Sequence, residues 1–238
     1  MASFKSNALA IIKRASSKGR RALDVYESLQ LISYCGLNVC KFELARSVNE
    51  AVTLAEEIGF PVVLKVSSLD ITHKFDVGAV ALNLRSSDEV KVAFVRIVEN
   101  VFKSNPLARI RGVVVQEMVT KGYEVIVGGY IDEQFGPVVM YGSGGLLVEL
   151  FKDVVFDIAP VTQEEALEMI SRTKSHKLLQ GYRGGFKADI DSLSRLIAKT
   201  SEVIWELRNH IKELDLNPVF VLKEGLGCKV ADARVILR

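Results

Sequence analysis

The sequence predicts an α+β protein in which two α+β subdomains meet at a cleft. Segments with helical spacing of apolar residues and short runs rich in β-branched residues occur in both halves of the chain. Between the halves, residues 105–112 (NPLARIRG) have the composition of a loop. We therefore expect an N-terminal subdomain over residues 1–108 and a C-terminal subdomain over residues 109–238.

The first half is predicted to contain three helices and two strands. Ser47 or Asn49 can cap the second helix, and a serine precedes the third. The glycines at positions 36 and 59 end the first two helices. The helices are expected over 20–35, 47–60 and 86–102, and the strands over 62–66 and 77–84.

The second half begins with three strand-like runs and continues with two helices. Thr162 and Glu165 have the spacing of a capping box at the start of the first helix. The C-terminal segment, 213–237, reads as two strands joined by a turn at Glu224-Gly225. The strands are expected over 112–119, 123–132 and 136–142, and the helices over 162–173 and 189–211.

Composition narrows the function classes. The chain has 238 residues, of which 49% are hydrophobic and 25% charged, as in ordinary globular proteins. A net charge of +2 does not call for a nucleic-acid partner, and no apolar run reaches the ~18 residues of a membrane span. Three cysteines form neither a CxxC pair nor an even disulfide set, which indicates a reducing, cytoplasmic location.

The basic start of the chain has two interpretations. Six lysines and arginines precede the first acidic residue, Asp24. A basic, acid-free segment that contains serine is one form of an organelle transit peptide. The composition favours the other interpretation, an amphipathic helix with a solvated basic face.

Three acceptor side chains lie close together in the predicted C-terminal hairpin. Asp215 and Asn217 point to one face of a strand because side chains alternate with a period of two. Asp232 comes opposite them if the hairpin turn lies near 224–226. Such oxygens suit Mg²⁺, which takes a few protein ligands together with phosphate and water. The alternative is a polar hairpin face in water.

Lys65 and the segment 116–119 (QEMV) each allow a binding role and a structural one. Lys65 lies inside an apolar strand, where a lysine either serves as a phosphate ligand or protects the edge of a sheet. Residues 116–119 end a strand and can present backbone N–H and C=O groups to a flat base. By itself that segment is more often a simple strand end.

His73 is the most specific candidate for a catalytic residue. It lies in a segment between two predicted strands, DITHKFDVG at 70–78, where functional residues are often placed. A histidine there can be a base, a nucleophile, a metal ligand or an ordinary surface residue. No second histidine at metal spacing supports zinc, and the common phosphate motifs GxxxxGK[ST] and GxGxxG are absent.

Taken in order, these segments resemble an ATP-grasp domain, and more narrowly the β subunit of ADP-forming acetyl-CoA synthetases. The resemblance runs from about residue 20 to the end of the chain. It is carried by GFPVVLKVSSLDITHKFDVGAVALNL, GVVVQEMVTKGYEVIVGGYIDEQFGPVVMYGSGGLLVEL, GYRGGF, ELDLNPVFV and VADAR, at 59–84, 112–150, 181–186, 213–221 and 230–234.

The resemblance implies roles for individual residues. His73 is implied to be transiently phosphorylated, and Asp215 to lie near the transferring phosphate. Asn217 and Asp232 are implied ligands of Mg²⁺. The residues implied to bind ATP or ADP are Lys65, Gln116, Glu117, Met118, Glu124, Gly142, Gly144 and Gly145.

The resemblance also implies the reaction acyl-CoA + ADP + phosphate ⇌ acid + CoA + ATP, with a nucleotide cleft between the subdomains. No segment reads as a CoA-binding domain, so a CoA-binding α subunit is the expected partner, in an assembly such as an α₂β₂ heterotetramer. Two alternatives stay open. One is a self-contained ATP-grasp carboxylate ligase without a histidine relay, and the other is a nucleotide-sensing subunit without turnover.

Overall fold

The computed structural model describes residues 2–71, 74–145 and 152–238, with the side chains of residues 2–5 left aside. Within these ranges the chain divides into two compact units. The small unit consists of residues 24–27 and 40–118, and the large unit of residues 1–23, 28–39 and 119–238.

Helices of the described residues follow the predicted pattern in most places. The N-cap side chains of Ser47, Ser86 and Thr162 each accept a backbone N–H three residues on, and Thr162 forms the expected capping box with Glu165. The helices are α1 (Ala2–Ser16), α2 (Val25–Tyr34), α3 (Val48–Ile58), α4 (Ser87–Ser104), α5 (Gln163–Ser171), α6 (Ser175–Leu179) and α7 (Ile190–Leu207).

The described strands form two sheets, and within each sheet neighbouring strands are antiparallel. The strands are β1 (Phe42–Ala45), β2 (Val62–Ser68), β3 (Val80–Leu84), β4 (Ile110–Glu117), β5 (Tyr123–Asp132), β6 (Gly136–Ser143), β7 (Val154–Ile158), β8 (Ile211–Val221), β9 (Cys228–Val230) and β10 (Ala233–Leu237).

The small unit is a four-stranded sheet in the order β1-β4-β2-β3, with α3 and α4 packed on it. Its core is made of small and branched apolar side chains, and Leu64, Ile97 and Val115 are fully buried. Burial of this apolar area is the main force that holds the helices to the sheet.

A buried charge network fixes residues 24–27 within the small unit. Asp24 and Glu27 are 5% and 1% exposed, and each carboxylate pairs with Arg111 of β4, at 2.9 and 2.8 Å. Ser67 of β2 donates a hydrogen bond of 2.9 Å to Asp24, and the guanidinium of Arg111 lies 5.3 Å from the ring centre of Tyr26. Because buried carboxylates are costly unless paired, these contacts hold the start of α2 in place.

The large unit is a six-stranded sheet in the order β10-β8-β5-β6-β7, with β9 also paired to β8. Helix α7 lies on this sheet against β5, β6 and β8. The approach is closest at Gly129, where an added Cβ would lie 2.4 Å from the Cδ1 atom of Ile204 on α7 and 2.1 Å from the carbonyl oxygen of Val138. Only glycine fits this position of β5.

The structure corrects the predicted ends of the chain. The basic N-terminal segment forms helix α1, and Ile11, Ile12 and Ala15 on it are buried, as the amphipathic interpretation expects. The C-terminal segment contains three strands instead of two. The predicted last strand is interrupted at residues 231–232, which separate β9 from β10. Strands β1 and β7 were not predicted. Among the described helices, none combines the length and apolarity that crossing a bilayer requires.

The predicted division at residue 108 differs from the compact units. Strand β4, over Ile110–Glu117, belongs to the small unit with β2 and β3, and α1 belongs to the large unit. The functional subdomains named from the sequence therefore stay a prediction.

Candidate functional site

Lys65 lies in the middle of the small unit's sheet. Strand β2 is flanked by β4 and β3, and Lys65 is opposite Val114 and Val80 on these two strands. Its side chain is 6% exposed. The edge-strand interpretation is therefore wrong, since Lys65 is on an inner strand. A buried ammonium group needs an anionic or polar partner, as a phosphate ligand would have.

Replacing Lys65 tests this role. We expect Lys65→Met to weaken ATP binding about tenfold or more, because methionine matches the length of lysine but lacks its charge. Lys65→Arg keeps the charge and should retain more of the affinity. Isothermal titration with ATP measures both, with Lys103→Met on the exposed side of α4 as the control. Equal ATP affinity for Lys65→Met and the wild type would remove Lys65 from the site.

The segment predicted to bind adenine is tightly bonded inside the small unit. Gln116 is 1% exposed. The backbone N–H of Glu117 donates to the carbonyl oxygen of Lys41 at 2.8 Å, and that of Met118 to the carbonyl oxygen of Pro61 at 3.2 Å. These two N–H groups are therefore engaged within the protein. A base at this segment would meet carbonyl oxygens and side chains of 117 and 118 instead of their N–H groups.

His73 lies outside the described residues, together with residue 72. The chain on either side of it is fixed to the small unit. Before it, the carboxylate of Asp70 accepts the backbone N–H of Arg109 at 2.8 Å and pairs with its guanidinium at 3.4 Å. After it, the carbonyl oxygen of Gly78 accepts a hydrogen bond of 3.1 Å from the side-chain amide of Asn100. The Arg109 contacts hold the pKa of Asp70 below its usual range.

In the large unit the structure brings Glu124, Gly144 and Gly145 together. The backbone N–H of Gly144 donates to the carbonyl oxygen of Glu124 at 3.0 Å. A Cβ on Gly144 would lie 2.5 Å from that oxygen, so a larger residue cannot make this approach. Gly145 has a φ of +58°, and its Cβ position is 3.7 Å from the carboxylate of Glu124. A glycine turn thus lies directly against the residue predicted to contact the ribose.

Gly142 has a different surrounding. It is inside β6, opposite Ile126 of β5 and Val154 of β7, and an added Cβ would lie 2.6 Å from the Cγ1 atom of Val154. Close strand packing accounts for a glycine here. Its contact with phosphate stays a prediction.

The three predicted acceptor residues lie at or next to an irregularity in β8. Asp215 is opposite Gly128 on β5, whereas the pairing shifts past Asn217, where β8 carries one residue more than its partner strand. The backbone N–H of Asn217 donates to the carbonyl oxygen of Asp232 at 3.2 Å. The expected juxtaposition of Asp232 with this strand is therefore present. Such bulges often redirect side chains next to functional sites.

Asp215 is in an environment of concentrated negative charge. Burial raises its pKa to about 6, and the carboxylates of Glu213 and Asp232 add to this effect while Arg234 opposes it. A bound cation would offset this repulsion. In the described ranges no group of three or more His, Cys, Asp or Glu side chains could hold a metal ion. Two carboxylates and one amide are a donor set that fits Mg²⁺ completed by phosphate and water, not a full protein cage.

Sequence reasoning missed Asp153, which fixes the end of β6. Its carboxylate accepts a hydrogen bond of 2.5 Å from the hydroxyl of Ser143 and also the backbone N–H groups of Lys174 and Ser175, at 2.9 and 3.2 Å. Burial raises the pKa of Asp153, but these hydrogen bonds outweigh it and the net shift is downward. The partners are 10 to 22 residues away in sequence, so no local pattern indicates this role.

Comparison with known proteins identifies the family of this chain. The ATP-grasp domain family matches residues 14–237. The chain is 43% identical over 235 residues to the acetate–CoA ligase [ADP-forming] II subunit beta of Pyrococcus furiosus, covering 99% of this chain and 100% of that protein. It is 44% identical to the 4-hydroxybutyrate–CoA ligase [ADP-forming] of Nitrosopumilus maritimus, covering 97% of this chain and only 33% of that longer protein.

A solved structure gives the same result. The dinucleotide forming acetyl-coenzyme A synthetase 1 of Ca. Korarchaeum cryptofilum, in complex with coenzyme A and Mg-AMPPCP, superimposes with a TM-score of 0.85 at 41% identity, covering 97% of this chain and 100% of that chain. In that structure a phosphohistidine segment points towards the nucleotide binding site. This chain therefore belongs to the ATP-grasp family and, within it, to the β subunits of ADP-forming acetate–CoA ligases.

Proposed function

We propose that this chain is the nucleotide-binding β subunit of an ADP-forming acyl-CoA synthetase. The overall reaction is acyl-CoA + ADP + phosphate ⇌ acid + CoA + ATP. The chain carries the step in which a phosphoryl group passes between His73 and ADP. The observation that supports this proposal is the arrangement at the β8 bulge, where the backbone of Asn217 is bonded to that of Asp232 and the charge of Asp232 acts on Asp215. The side chains of these three residues form a donor set that fits a magnesium–nucleotide complex.

The phosphoryl step requires little beyond positioning and charge. In the direction of ATP formation, the N–P bond of phosphohistidine breaks, a terminal β-phosphate oxygen of ADP forms the new O–P bond, and the imidazole recovers its electron pair. Mg²⁺, when bound, neutralises charge on the phosphate oxygens. Lys65 would contribute a further positive charge, and Asn217 and Asp232 would hold the metal.

The glycine turn and the segment at 116–118 orient the nucleotide in this proposal. The backbone at Gly145 can approach a phosphate because no Cβ intervenes, whereas the N–H of Gly144 is already donated to the carbonyl oxygen of Glu124. Glu124 is adjacent to this turn. In this proposal its carboxylate accepts hydrogen bonds from the hydroxyl groups of the ribose. Glu117 and Met118 present carbonyl oxygens and side chains to the adenine, and the buried Gln116 precedes them in β4.

The acyl-CoA half of the reaction is assigned to a partner. The chain matches the Pyrococcus β subunit over the whole length of that protein. It matches only 33% of the Nitrosopumilus ligase, so about two thirds of that longer protein has no counterpart in this chain. We assign CoA binding to a separate α subunit and the complex to a closed assembly such as α₂β₂. A phosphohistidine is useful in such an assembly because the phosphoryl group must travel between two sites.

The partner requirement gives a direct prediction. We expect the purified chain alone to show no consumption of acetyl-CoA in the presence of ADP, phosphate and Mg²⁺, and full turnover after addition of the α subunit. ATP formation and CoA release are measured together. The chain alone should still acquire label from γ-labelled ATP, in an acid-labile form. Full turnover by the isolated chain would favour a self-contained ligase, and binding of ATP without labelling, with or without α, would favour a nucleotide sensor.

A further inference from the structure

Asp153 is bonded to the residue that begins the glycine turn at 144–145. The backbone N–H of Ser143, the last residue of β6, donates to the carbonyl oxygen of Asp153 at 3.0 Å, and its hydroxyl donates to the Asp153 carboxylate at 2.5 Å. The next residue, Gly144, donates its N–H to the carbonyl oxygen of Glu124. A continuous series of hydrogen bonds therefore leads from Asp153 through Ser143 and the glycine turn to a predicted nucleotide residue.

The carboxylate of Asp153 is itself held by the turn that joins α5 to α6. It accepts the backbone N–H groups of Lys174 and Ser175, at 2.9 and 3.2 Å. The hydroxyl of Ser175 in turn lies 3.2 Å from that of Tyr141 on β6 and 2.9 Å from that of Thr173. All hydroxyl-bearing side chains of this network are at most 5% exposed. A buried polar network in which the groups have partners specifies one arrangement of the segments that carry it.

This network lies on the face of the sheet away from the predicted nucleotide residues. Ser143 is opposite Val125 on β5, and side chains alternate along a strand. The side chain of Ser143 therefore points to the opposite face from that of Glu124. Any effect of the Ser143 and Asp153 side chains on the nucleotide must pass through the backbone of the glycine turn.

We propose that Asp153 is a positioning residue for the nucleotide, because its bonds to Ser143 hold the glycine turn in place beside Glu124. A binding site needs its groups held to within about 0.5 Å, and directional hydrogen bonds provide this where apolar contacts alone would allow the turn to shift. This inference rests on the proposed nucleotide-binding function. It adds a residue that acts on the nucleotide without touching it.

Substitutions at both ends of the hydrogen bond test the proposal. We expect Asp153→Ala and Ser143→Ala each to lower the affinity of the full chain for Mg–ATP and Mg–ADP about tenfold. Isothermal titration well below the melting temperature of each variant measures this. Asp153→Asn keeps an acceptor oxygen and should retain part of the affinity. Because the two residues act through one contact, the double alanine variant should bind ATP about as weakly as Asp153→Ala alone.

The matched control is Tyr141→Phe, which removes a hydroxyl from the same strand and the same buried network, two residues before Ser143. It should lower the melting temperature and leave ATP affinity unchanged. Wild-type affinity in both alanine variants would overturn the inference and leave the proposed function standing.

Two further results would also overturn the inference. The first is an equal loss of affinity in Tyr141→Phe, since general destabilisation would then account for it. The second is a fully additive loss in the double variant, since Asp153 would then not act through Ser143. Should Asp153→Ala fail to fold, Ser143→Ala decides the matter, because it removes a single hydroxyl. A wild-type chain that does not bind Mg–ATP would overturn the proposed function as well.

Discussion

A chain in which His73 is replaced by alanine is expected to lose overall turnover while its ATP affinity stays within about twofold of the wild type. Imidazole has an ordinary pKa near 6.5, so close to neutral pH a large fraction carries a nitrogen with a free electron pair. That nitrogen forms the covalent bond to phosphorus in the proposed relay. Alanine removes this step completely, whereas the loss of a mere contact would leave reduced activity.

Three measurements check this expectation. The first is acetyl-CoA-dependent ATP formation by the complex with the α subunit, the second is labelling of the chain by γ-labelled ATP, and the third is ATP affinity. His210→Ala is the matched control, because His210 is exposed in the turn between α7 and β8 and should keep labelling and turnover. Turnover at the wild-type rate by His73→Ala would refute the relay. Loss of ATP affinity together with turnover would instead make His73 a binding residue.

The parts of the site that could be predicted are those whose residues are close in sequence or joined by one hairpin. Asp215 and Asn217 are two residues apart on one strand, and a hairpin brings Asp232 to them. Whether Lys65 lies on an inner strand or an edge strand could not be predicted, because the strand order depends on β4, which comes about 50 residues later in the chain. Asp153 is defined by distant partners, which a local pattern does not contain.

Helices were easier to predict than the short strands. The caps at Ser47, Ser86 and Thr162 are local signals, and each cap is present in the structure. Strand β1 (Phe42–Ala45) has four residues, too few for a period of two to stand out. Strand β7 is at the edge of the large sheet and exposes Phe156 and Ile158, so it lacks the buried pattern of an inner strand. Tertiary pairing, not local sequence, makes these segments strands.

The buried cysteines fit a structural role. Burial raises the pKa of Cys35 and of Cys228 to about 12 each, so both thiols stay protonated at neutral pH. This agrees with the absence of any disulfide among the described residues.

Asp232→Asn and Asn217→Ala should both weaken magnesium–nucleotide binding and slow phosphoryl transfer by about a hundredfold or more, an order of magnitude typical of lost metal and phosphate stabilisation. Asn217→Ala removes one oxygen donor. Asp232→Asn keeps the shape and one oxygen but removes a negative charge, so its Mg²⁺ dependence should shift to higher concentration. Single-turnover labelling from γ-labelled ATP, followed over a Mg²⁺ titration, measures both effects.

The two substitutions distinguish a metal site from a structural hairpin because of one contact. Asn217 and Asp232 are joined through backbone atoms, N–H to carbonyl oxygen, and this bond survives both side-chain changes. A loss of labelling without a loss of thermal stability therefore reports the side-chain oxygens. Asp191→Asn, an exposed acid in the first turn of α7, controls for the general loss of negative charge. If both variants kept the wild-type Mg²⁺ dependence, the cluster would be a solvated polar face, and the negative charge around Asp215 would require another counterion.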